Sequence, residues 1–376
     1  MTFFQLLKQE LKAILSNSAI TLTIFGGVVF YSFLYPLPYE SQIPREQSIN
    51  VVNFDHSLLS YQLERMVDAT PQVHIVGRAN SIEEAKQNFM KGKVGGILVI
   101  PQHFYRDLML GKSPTLSFAG DASYFLVYGT VIEGLANVSG TVAAKAKVSK
   151  LILEGAPKAL AEKQYQQVGL NMKPTFNPTN GYINYVLPAV FVLILQQTLI
   201  MGVGLLGGSQ KNETGYWEGI PIIKLLSART LVFVAIYYLL SLYYFGFNFD
   251  VYSVNALASM NHILLLLAPF LLVSVFIGIV LGAFLPRREL VTFVVLVSSM
   301  PLLFSTGFIW PLESIPSLII FLSHLFPSTP AIQGFLAINQ MGADYSMIID
   351  LRLLLWGQAL LWGVLAYFSY KRYQQK

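Results

Sequence analysis

The sequence contains no cysteine and few charged residues. The first absence excludes disulfide bonds, thiolate metal sites and cysteine nucleophiles. Charged residues make up only 12% of the 376 positions, whereas hydrophobic residues make up 54%. Because soluble domains usually carry about 25% charged residues, this balance indicates a membrane protein. The mean hydropathy of +0.55 agrees with that interpretation.

Motifs that accompany catalysis are also missing. We find no G-x-S-x-G, no H-E-x-x-H, no His, Asp and Glu at metal-ligand spacing, and no row of carboxylates within the apolar segments. The triplet Gly111-Lys112-Ser113 matches the end of a phosphate-binding loop, but Arg106 stands where that loop needs a further glycine. We interpret the triplet as a glycine helix stop followed by a solvated lysine. No catalytic, cofactor-binding or metal residue is predicted in this chain.

Six apolar stretches are long enough to cross about 30 Å of hydrocarbon as helices. They are Ala19–Tyr35, Tyr182–Leu206, Leu225–Phe247, His262–Leu285, Leu290–Phe308 and Leu351–Tyr370. About 145 residues separate the first stretch from the second, whereas the next four follow closely. The pattern predicts a polytopic helical membrane protein with one large insertion.

Basic residues are distributed unevenly among the connections. If the N-terminus is cytoplasmic, the inner segments hold ten Lys and Arg, and the outer connections 248–261 and 309–350 hold none. By the positive-inside rule both termini face the cytoplasm, and Arg352 at the outer end of the last span is expected to pair with Asp350. Since the net charge of +5 follows topology, no nucleic-acid partner is predicted. The ten are Lys8, Lys12, Lys211, Lys224, Arg229, Arg287, Arg288, Lys371, Arg372 and Lys376.

Residues 36–181 have the composition of a soluble domain, with 14 Lys and Arg against 12 Asp and Glu. Alternating patterns predict strands at 49–54, 73–76, 94–100 and 115–118. Helices are predicted at 57–68, at 81–90 behind a Ser81 and Glu84 capping box, from Pro101, and from Asp121 to about Val168. The pattern predicts an inserted α/β domain, which the topology places outside the cytoplasm.

Residues 1–18 fit an amphipathic helix. An apolar stripe with a cationic flank is typical of a helix that lies in the inner membrane interface. An ordinary lead-in to the first span, without a mechanical role, is the alternative. The stripe consists of Phe4, Leu7, Leu11 and Ile14, and the flank of Lys8 and Lys12.

The inner loop after the second span, GGSQKNETGYWEG, combines glycines, acids and aromatic residues. It fits either a solvated loop anchored at the interface by an aromatic residue or a docking surface for a cytoplasmic partner. Its candidate residues are Lys211, Glu213, Gly215, Trp217 and Glu218.

After the fifth span, residues 309–345 are largely apolar but interrupted by prolines. Ser317–Phe326 is too short to cross, so we predict two short helices that enter the outer leaflet and return, with the broken ends buried in protein. An ordinary outer loop with one interfacial helix is the alternative. The gate residues at the breaks are Gly307, Pro311, Glu313, Pro316, Pro327, Thr329 and Pro330.

Three stretches resemble patterns of the ABC-2-type exporter permeases, in the branch with a large extracytoplasmic domain between spans one and two. NVVNFDHSLLSYQLERMVDAT is similar to the family's opening D-x-S and helix, with Asp55 and Ser57. KVGGILVIPQHFYRDLMLGKSPTLSFAGDAS, which includes the Gly-Lys-Ser triplet, is similar to V-x-x-x-L-x-I-P-x-x-F-x-x-D-L-x-x-G. GFIWPLESIP with FPSTPAIQGF looks like the family's re-entrant segment. The matching residues of the second stretch are Val94, Leu98, Ile100, Pro101, Phe104, Asp107, Leu108 and Gly111.

The resemblance implies the membrane half of a bacterial inner-membrane ABC exporter. ATP and Mg would bind a separate ATPase subunit, docked against the N-terminal helix and the loop with Glu213 and Gly215, where ETGYWEG replaces the usual E-x-x-x-G-T. Two permeases, identical or paralogous, would enclose a path for drugs or lipids, lined mainly by spans two and five, and a periplasmic adaptor is a further implied partner. Packing between helices is the stronger interpretation of the two mid-span glutamines. The candidate path residues are Gln196, Gln197, Ser298 and Ser299.

The predicted fold class is therefore an α-helical polytopic membrane protein with six transmembrane helices, re-entrant short helices and an inserted α/β extracytoplasmic domain. Its layout is an interface helix at 1–18, the first span at 19–35, the inserted domain at 36–181 and the remaining spans at 182–376. A membrane-anchored receptor or scaffold, whose ectodomain binds an envelope or phage partner, is the alternative function. It predicts that function survives the loss of ATP hydrolysis, whereas the exporter predicts the opposite.

Overall fold

A computed structural model describes residues 1–39, 43–164, 175–177, 181–211 and 213–374. The chain forms two compact units. Residues 1–42 together with 174–376 form the first, called the membrane unit, and residues 43–173 form the second, called the inserted unit.

Helices make up most of the described chain. Three of them contain π-helical turns, at Leu22–Gly26, Tyr243–Asn248 and Leu336–Gln340. In chain order the helices are α1 Phe3–Ser16, α2 Ser18–Tyr39, α3 Leu58–Asp68, α4 Ile82–Met90, α5 Phe104–Met109, α6 Phe125–Leu153, α7 Lys158–Gln164, α8 Ile183–Ser209, α9 Ile222–Val251, α10 Met260–Phe284, α11 Glu289–Ser305, α12 Ser317–Ser323, α13 Ser328–Gln340 and α14 Ile349–Gln374. The strands are β1 Gln47–Asn53, β2 Val73–Arg78, β3 Gly96–Ile100 and β4 Ser117–Gly120.

The central helix of the membrane unit is α8. It contacts α2, α9, α10, α11 and α13, and it is buried along almost its whole length. Its sequence is apolar on every side, which is typical of a helix enclosed by other helices. The main core of this unit packs α8 side chains against Phe233 and Tyr237 of α9 and Phe270 of α10.

Within the described residues, six helices are long and apolar enough to cross a membrane. Five of them, α2, α8, α9, α10 and α14, agree with predicted spans. The predicted span Leu290–Phe308 is shorter in the structure: α11 has 17 residues, at the lower end of the spanning range of about 17–25. Gly307, whose φ of +91° is incompatible with a continuing helix, follows its end.

The sixth candidate span is α6, which lies in the inserted unit. The sequence pattern assigned this stretch to a soluble domain. One face of α6 packs on the sheet through Val131, Leu135, Val138 and Val142. Its apolar composition is therefore explained, in part, by the core of its own unit.

The inserted unit is built around a four-stranded mixed sheet of order β2-β1-β3-β4. β1 runs parallel to β2 and β3, and β4 runs antiparallel to β3. α3, α5 and α6 cover one face and α4 covers the other, which confirms the predicted α/β arrangement. Ser57 and Ser81 cap α3 and α4 by accepting hydrogen bonds from the backbone N–H groups of Ser60 and Glu84.

Two predicted helix starts in this unit are wrong. α5 begins at Phe104 and not at Pro101, because His103 adopts a left-handed φ of +62° just before it. α6 begins at Phe125 and not at Asp121, whose carboxylate instead accepts a hydrogen bond from the N–H of Ser123. The predicted helical stretch to about Val168 is described only as far as Gln164.

Gly111-Lys112-Ser113 ends α5, which confirms the interpretation of the triplet as a helix stop. Gly111 has a φ of +76°, and its N–H donates to the carbonyl of Leu108. The N–H of Lys112 donates to the carbonyl of Asp107. This pair of bonds is the Schellman ending of a helix, for which a glycine at the left-handed position is preferred.

The predicted pairing of Arg352 with Asp350 is wrong. Among the described residues Asp350 forms no ion pair, and the Arg352 guanidinium lies 3.9 Å from the centre of the Tyr345 ring. The Tyr345 ring also stacks with His262 at a centroid distance of 4.9 Å. Arg352 Nη1 also donates to the Tyr345 carbonyl at 3.3 Å, so an aromatic contact replaces the carboxylate.

Candidate coupling site

The amphipathic helix α1 is capped at its start and packs against α9. The Thr2 hydroxyl accepts from the N–H of Gln5 at 3.2 Å, and the Gln5 side chain accepts from the N–H of Thr2 at 2.9 Å. This reciprocal box satisfies backbone donors that a helix start leaves free. The buried face of the helix is formed by Leu6, Glu10 and Ile14, none of which is exposed.

The stripe predicted from the sequence is not the face that packs on the protein. Phe4 and Leu11 are exposed, Leu7 is partly buried, and only Ile14 belongs to the buried face. Successive residues of a helix are about 100° apart, so the exposed face with Phe4 and Leu11 lies next to the buried face with Leu6 and Ile14. The apolar arc of α1 is therefore wider than predicted. Its exposed part fits the membrane interface, with Lys8 Nζ at 4.8 Å from the centre of the Phe4 ring.

Glu10 of α1 and Arg229 of α9 form a buried two-point ion pair. Arg229 Nε donates to Glu10 Oε2 at 2.9 Å, and Nη2 donates to Oε1 at 3.0 Å. Neither side chain is exposed. Because charges removed from water are stable only when paired and hydrogen-bonded, this contact fixes α1 against α9.

Three further side chains complete the network. Gln210, after α8, accepts from Arg229 Nη2 at 2.5 Å and donates to the Tyr216 hydroxyl at 3.0 Å. The Tyr216 hydroxyl donates to Glu10 Oε1 at 2.9 Å, and Arg229 Nη1 donates to the hydroxyl of Tyr370 on α14. We call these five residues, Glu10, Gln210, Tyr216, Arg229 and Tyr370, the polar cluster.

The polar cluster joins the loop after α8 to several helices at one point. Burial, and then the nearby Glu10 carboxylate, raise the pKa of Tyr216, so its hydroxyl stays protonated and continues to donate. Through the cluster, α1 and the loop contact α8, α9 and α14. The cluster therefore links α1 and the loop to three helices of spanning length.

The loop itself turns its acidic residues outward. Glu213 and Glu218 are exposed, and so is Gly215. Trp217 is partly buried, and its ring covers Gly215 so closely that a Cβ atom there would lie 2.5 Å from the indole. The loop thus exposes the carboxylates of Glu213 and Glu218, and the indole of Trp217 packs against the loop backbone at Gly215.

Lys211, at the start of the loop, makes a contact within the membrane unit. Its Nζ donates to the carbonyls of Ala283 at 3.1 Å and Leu285 at 3.0 Å. Carbonyls at a helix end lack intrahelical partners, so Lys211 caps α10. This contact holds the start of the loop in place, and a role for Lys211 in coupling stays a prediction.

No sequence motif predicts the polar cluster, but two isolated charges on apolar helices are a signal for it. Glu10 is the only acidic residue among the first 39, and it lies four residues from both Leu6 and Ile14. Arg229, counted among the inner topological charges, follows the apolar run after Lys224. An isolated charge on an apolar helix face predicts a partner of opposite charge on a neighbouring helix.

The predicted re-entrant segment contains two short helices, α12 and α13, bent by 92° at the break between them. α14 satisfies the backbone groups that this break leaves free. Gln358 Nε2 donates to the carbonyl of His324 at 2.6 Å, and Trp362 Nε1 donates to the carbonyl of Leu325 at 3.3 Å. Broken backbone in a membrane protein is stable where protein supplies such partners.

The predicted gate residues differ in burial. Pro327, Thr329 and Pro330 are buried, and Thr329 Oγ1 has no hydrogen-bond partner in the part of the chain that the structure describes. The gate residues at the break between α12 and α13 are therefore more enclosed than those between α11 and α12. The gate residues between α11 and α12 are exposed or partly exposed, and they are Gly307, Pro311, Glu313 and Pro316.

The candidate path residues lie on two helices that pack together, α8 and α11. Gln196 is buried, and its Oε1 lacks a partner among the described residues, whereas Gln197 is partly buried. Ser298 and Ser299 donate to carbonyls three residues earlier in α11. No described hydrogen bond connects the glutamines to the serines, so their common role stays a prediction.

Sequence comparison gives a finding that is independent of this geometry. The profile of the family described as ABC-2 family transporter protein matches residues 18–368. No individual curated protein matches the chain at a significant level. Over the described residues, no group of three His, Cys, Asp or Glu side chains is arranged to hold a metal ion. The chain belongs to the ABC-2 family and is the multi-pass membrane permease of an ABC transporter, a component that works with an ABC ATP-binding partner.

Proposed function

We propose that this permease is part of an ATP-driven exporter in the bacterial inner membrane. Both termini lie in the cytoplasm and the inserted unit lies in the periplasm. The ten basic residues of the inner segments, against none in the two short outer connections, support this orientation. Two copies, or one copy and a paralogue, enclose the path, and a periplasmic adaptor receives the cargo.

The cargo is a hydrophobic or amphiphilic molecule such as a drug or a lipid. The scarcity of charges in the spanning helices supports this class over ions, because a charged cargo needs charged or strongly polar partners at membrane depth. Gln196 and Gln197 of α8, with Ser298 and Ser299 of α11, are the proposed path residues. The bend between α12 and α13 is the proposed outer gate.

The polar cluster is the observation that supports the coupling step. The partner ATPase binds ATP and Mg and contacts the exposed part of α1 and the loop with Glu213 and Glu218. Glu10 and Arg229 then carry the displacement of α1 to α9, and Tyr370 extends it to α14. Approach of two ATPases tilts the inner ends of these helices and opens the path outward.

Purified permease with its ATPase, reconstituted in vesicles, tests this proposal. Glu10→Gln keeps the size of the side chain but leaves the Arg229 charge unpaired, so transport per ATP hydrolysed falls about tenfold or more while ATP hydrolysis continues. Glu83→Gln, the same change at an exposed position of α4, leaves the ratio unchanged. An unchanged ratio for Glu10→Gln refutes the coupling role.

The receptor or scaffold alternative is separated by a second measurement. Inactivation of the partner ATPase abolishes the cellular function of an exporter, whereas a receptor keeps its function. Isolation of the permease in mild detergent without any attached ATPase also counts against the exporter.

A further inference from the structure

The inserted unit contains a cavity of about 770 Å³ on the side of the sheet covered by α3, α5 and α6. This volume lies within the range of about 300–1,000 Å³ that is typical of small-molecule sites. All its lining residues belong to the inserted unit. A second cavity of about 240 Å³ shares the lining residues Val142 and Ala146 of α6 with it.

The floor of the large cavity is apolar. Leu63 of α3, Phe104 of α5 and Val142 of α6 are buried side chains of the unit's core, and Leu108 and Leu116 flank them. Covering such a floor with an apolar group is favourable, because it removes apolar surface from water. An alkyl chain or another apolar group is therefore the part of a ligand that fits here.

The rim of the cavity is cationic. Lys112, Lys147 and Lys150 line it, against one lining carboxylate, Glu154. Lys150 lies 4.0 Å from Glu154 in an exposed pair that solvent weakens. Lys112 is exposed and lies 3.6 Å from Asp107, which is partly buried. Lys147 forms no ion pair with any described residue. The rim thus keeps a net positive charge toward the cavity.

The Gly-Lys-Ser triplet contributes to this rim. Its turn ends α5 at Gly111. A Cβ atom at Gly111 would lie 3.0 Å from Lys150 Nζ. The absence of a side chain at position 111 therefore lets Lys150 approach the turn that carries Lys112. The triplet brings two ammonium groups to one edge of an apolar cavity without forming a nucleotide cradle.

We propose that this cavity binds a single-chain amphiphile with an anionic head group, such as an alkyl phosphate. The alkyl chain covers the apolar floor, and the head group contacts the three lysines at the rim. The charge of the rim disfavours cationic amphiphiles of the same length. This binding is a property of the inserted unit and does not depend on the direction of transport or on the ATPase.

Photolabelling of the full-length protein in phosphatidylcholine nanodiscs tests the proposal. The probe is dodecyl phosphate with a diazirine on its alkyl chain, and mass spectrometry locates the labelled peptides. We expect labelling of α5 and α6 residues of the cavity, competed by unlabelled dodecyl phosphate. The matching dodecyltrimethylammonium probe is expected to label these peptides about tenfold less.

Variants separate the site from general adsorption. Lys147→Glu with Lys150→Glu is expected to weaken the apparent Kd for dodecyl phosphate about tenfold or more, and Ala146→Trp, which fills the cavity, abolishes labelling. Lys86→Glu makes the same kind of charge change on α4, across the sheet, and leaves the Kd unchanged. Equal labelling by the cationic probe, or an equal effect of Lys86→Glu, overturns the proposal.

The same assay identifies the source of the amphiphile. In nanodiscs that contain lysophosphatidylglycerol, a single-chain anionic lipid, loss of probe labelling shows that the site draws its ligand from the bilayer. Undiminished labelling shows that the site takes a free amphiphile from solution. Absence of competable labelling in every nanodisc overturns the site itself, while the exporter proposal stays open to its own transport measurement.

Discussion

Gly282 of α10 lies against the backbone of Gly204 in α8, so that a Cβ atom at position 282 would be 2.8 Å from the Gly204 carbonyl oxygen. Gly278, one turn earlier, is crowded in the same way, because a Cβ atom at position 278 would lie 2.7 Å from the Cβ atom of Val203. Glycines at four-residue spacing let membrane helices approach closely. The central helix α8 therefore depends on the absence of side chains in its neighbour.

Gly282→Val is expected to destabilise the membrane unit. The added methyl groups force α8 and α10 apart, and overpacking of this kind costs about 1–3 kcal/mol. Thermal unfolding in mild detergent measures the effect. Gly357→Val on α14 is the matched control, because a Cβ atom there meets no atom within 4 Å. Equal unfolding midpoints for the two variants would show that the close approach contributes nothing.

Gln358→Leu is expected to loosen the break between α12 and α13. It removes the donor to the His324 carbonyl, and a buried polar group left without a partner costs about 1–3 kcal/mol. Because the chain has no cysteine, Leu325→Cys provides a single reporter, whose maleimide labelling rate should rise several-fold. Gln87→Leu, at an exposed position of α4, should leave that rate unchanged. A rate insensitive to Gln358→Leu would exclude this support.

Arg78→Met is expected to destabilise the contact between β2 and α3. Arg78 Nε donates to Glu64 Oε2 at 2.6 Å, and this hydrogen bond, with the carboxylate charge, raises the pKa of Arg78. Glu64 is buried, and among the described residues its carboxylate would keep only the hydrogen bond that Asn53 Nδ2 donates to Oε1 at 2.7 Å. The expected cost is about 1–3 kcal/mol, toward the lower end because Arg78 is largely exposed.

Hydrogen exchange of the full-length protein measures that cost as faster exchange of β2 and α3 amides. Arg65→Met, on α3, is the matched control, since Arg65 is exposed and forms no ion pair with any residue that the structure describes. An equal increase in the exchange rates of the β2 and α3 amides in both variants would show that the contact between Arg78 and Glu64 does not stabilise the unit.

Thiol labelling tests the orientation of the chain. Lys86→Cys in the inserted unit should react with a membrane-impermeant maleimide in intact spheroplasts. Glu218→Cys in the loop after α8 should react only after lysis. Both side chains are exposed, so access to the reagent decides the result. The reverse pattern would invert the topology and exclude the exporter.

Local sequence signals predicted much of this fold. The Ser81 cap, the period-two strands and the Gly111 helix stop depend on residues close in sequence, and the structure confirms them. The predicted capping box is only half formed, because the Glu84 carboxylate accepts from the N–H of Asn80 and not from that of Ser81. Five spans follow from apolar length alone. The errors also have local causes: His103 takes a left-handed conformation that no pattern announced, and α11 ends earlier because Gly307 follows it.

The polar cluster was less accessible to sequence reasoning, because its members are distant in the chain. The predicted stripe of α1 is Phe4, Leu7, Leu11 and Ile14, whereas its buried face consists of Leu6, Glu10 and Ile14 and so includes a charged residue. Hydropathy scoring treats a carboxylate as a solvent-facing group. Only its pairing with Arg229 on another helix makes burial favourable, and pairing across that separation is a tertiary property.

The ion pair between Glu10 and Arg229 also constrains biosynthesis. The ribosome makes Glu10 219 residues before its partner, and the hydroxyl of Tyr370 follows 141 residues later still. A nascent chain therefore has an acid on its first helix without its Arg229 partner until more than half of the 376 residues are synthesised. Attachment of α1 thus requires α9, and chains truncated before Arg229 would present this helix without its ion-pair partner to quality-control proteases.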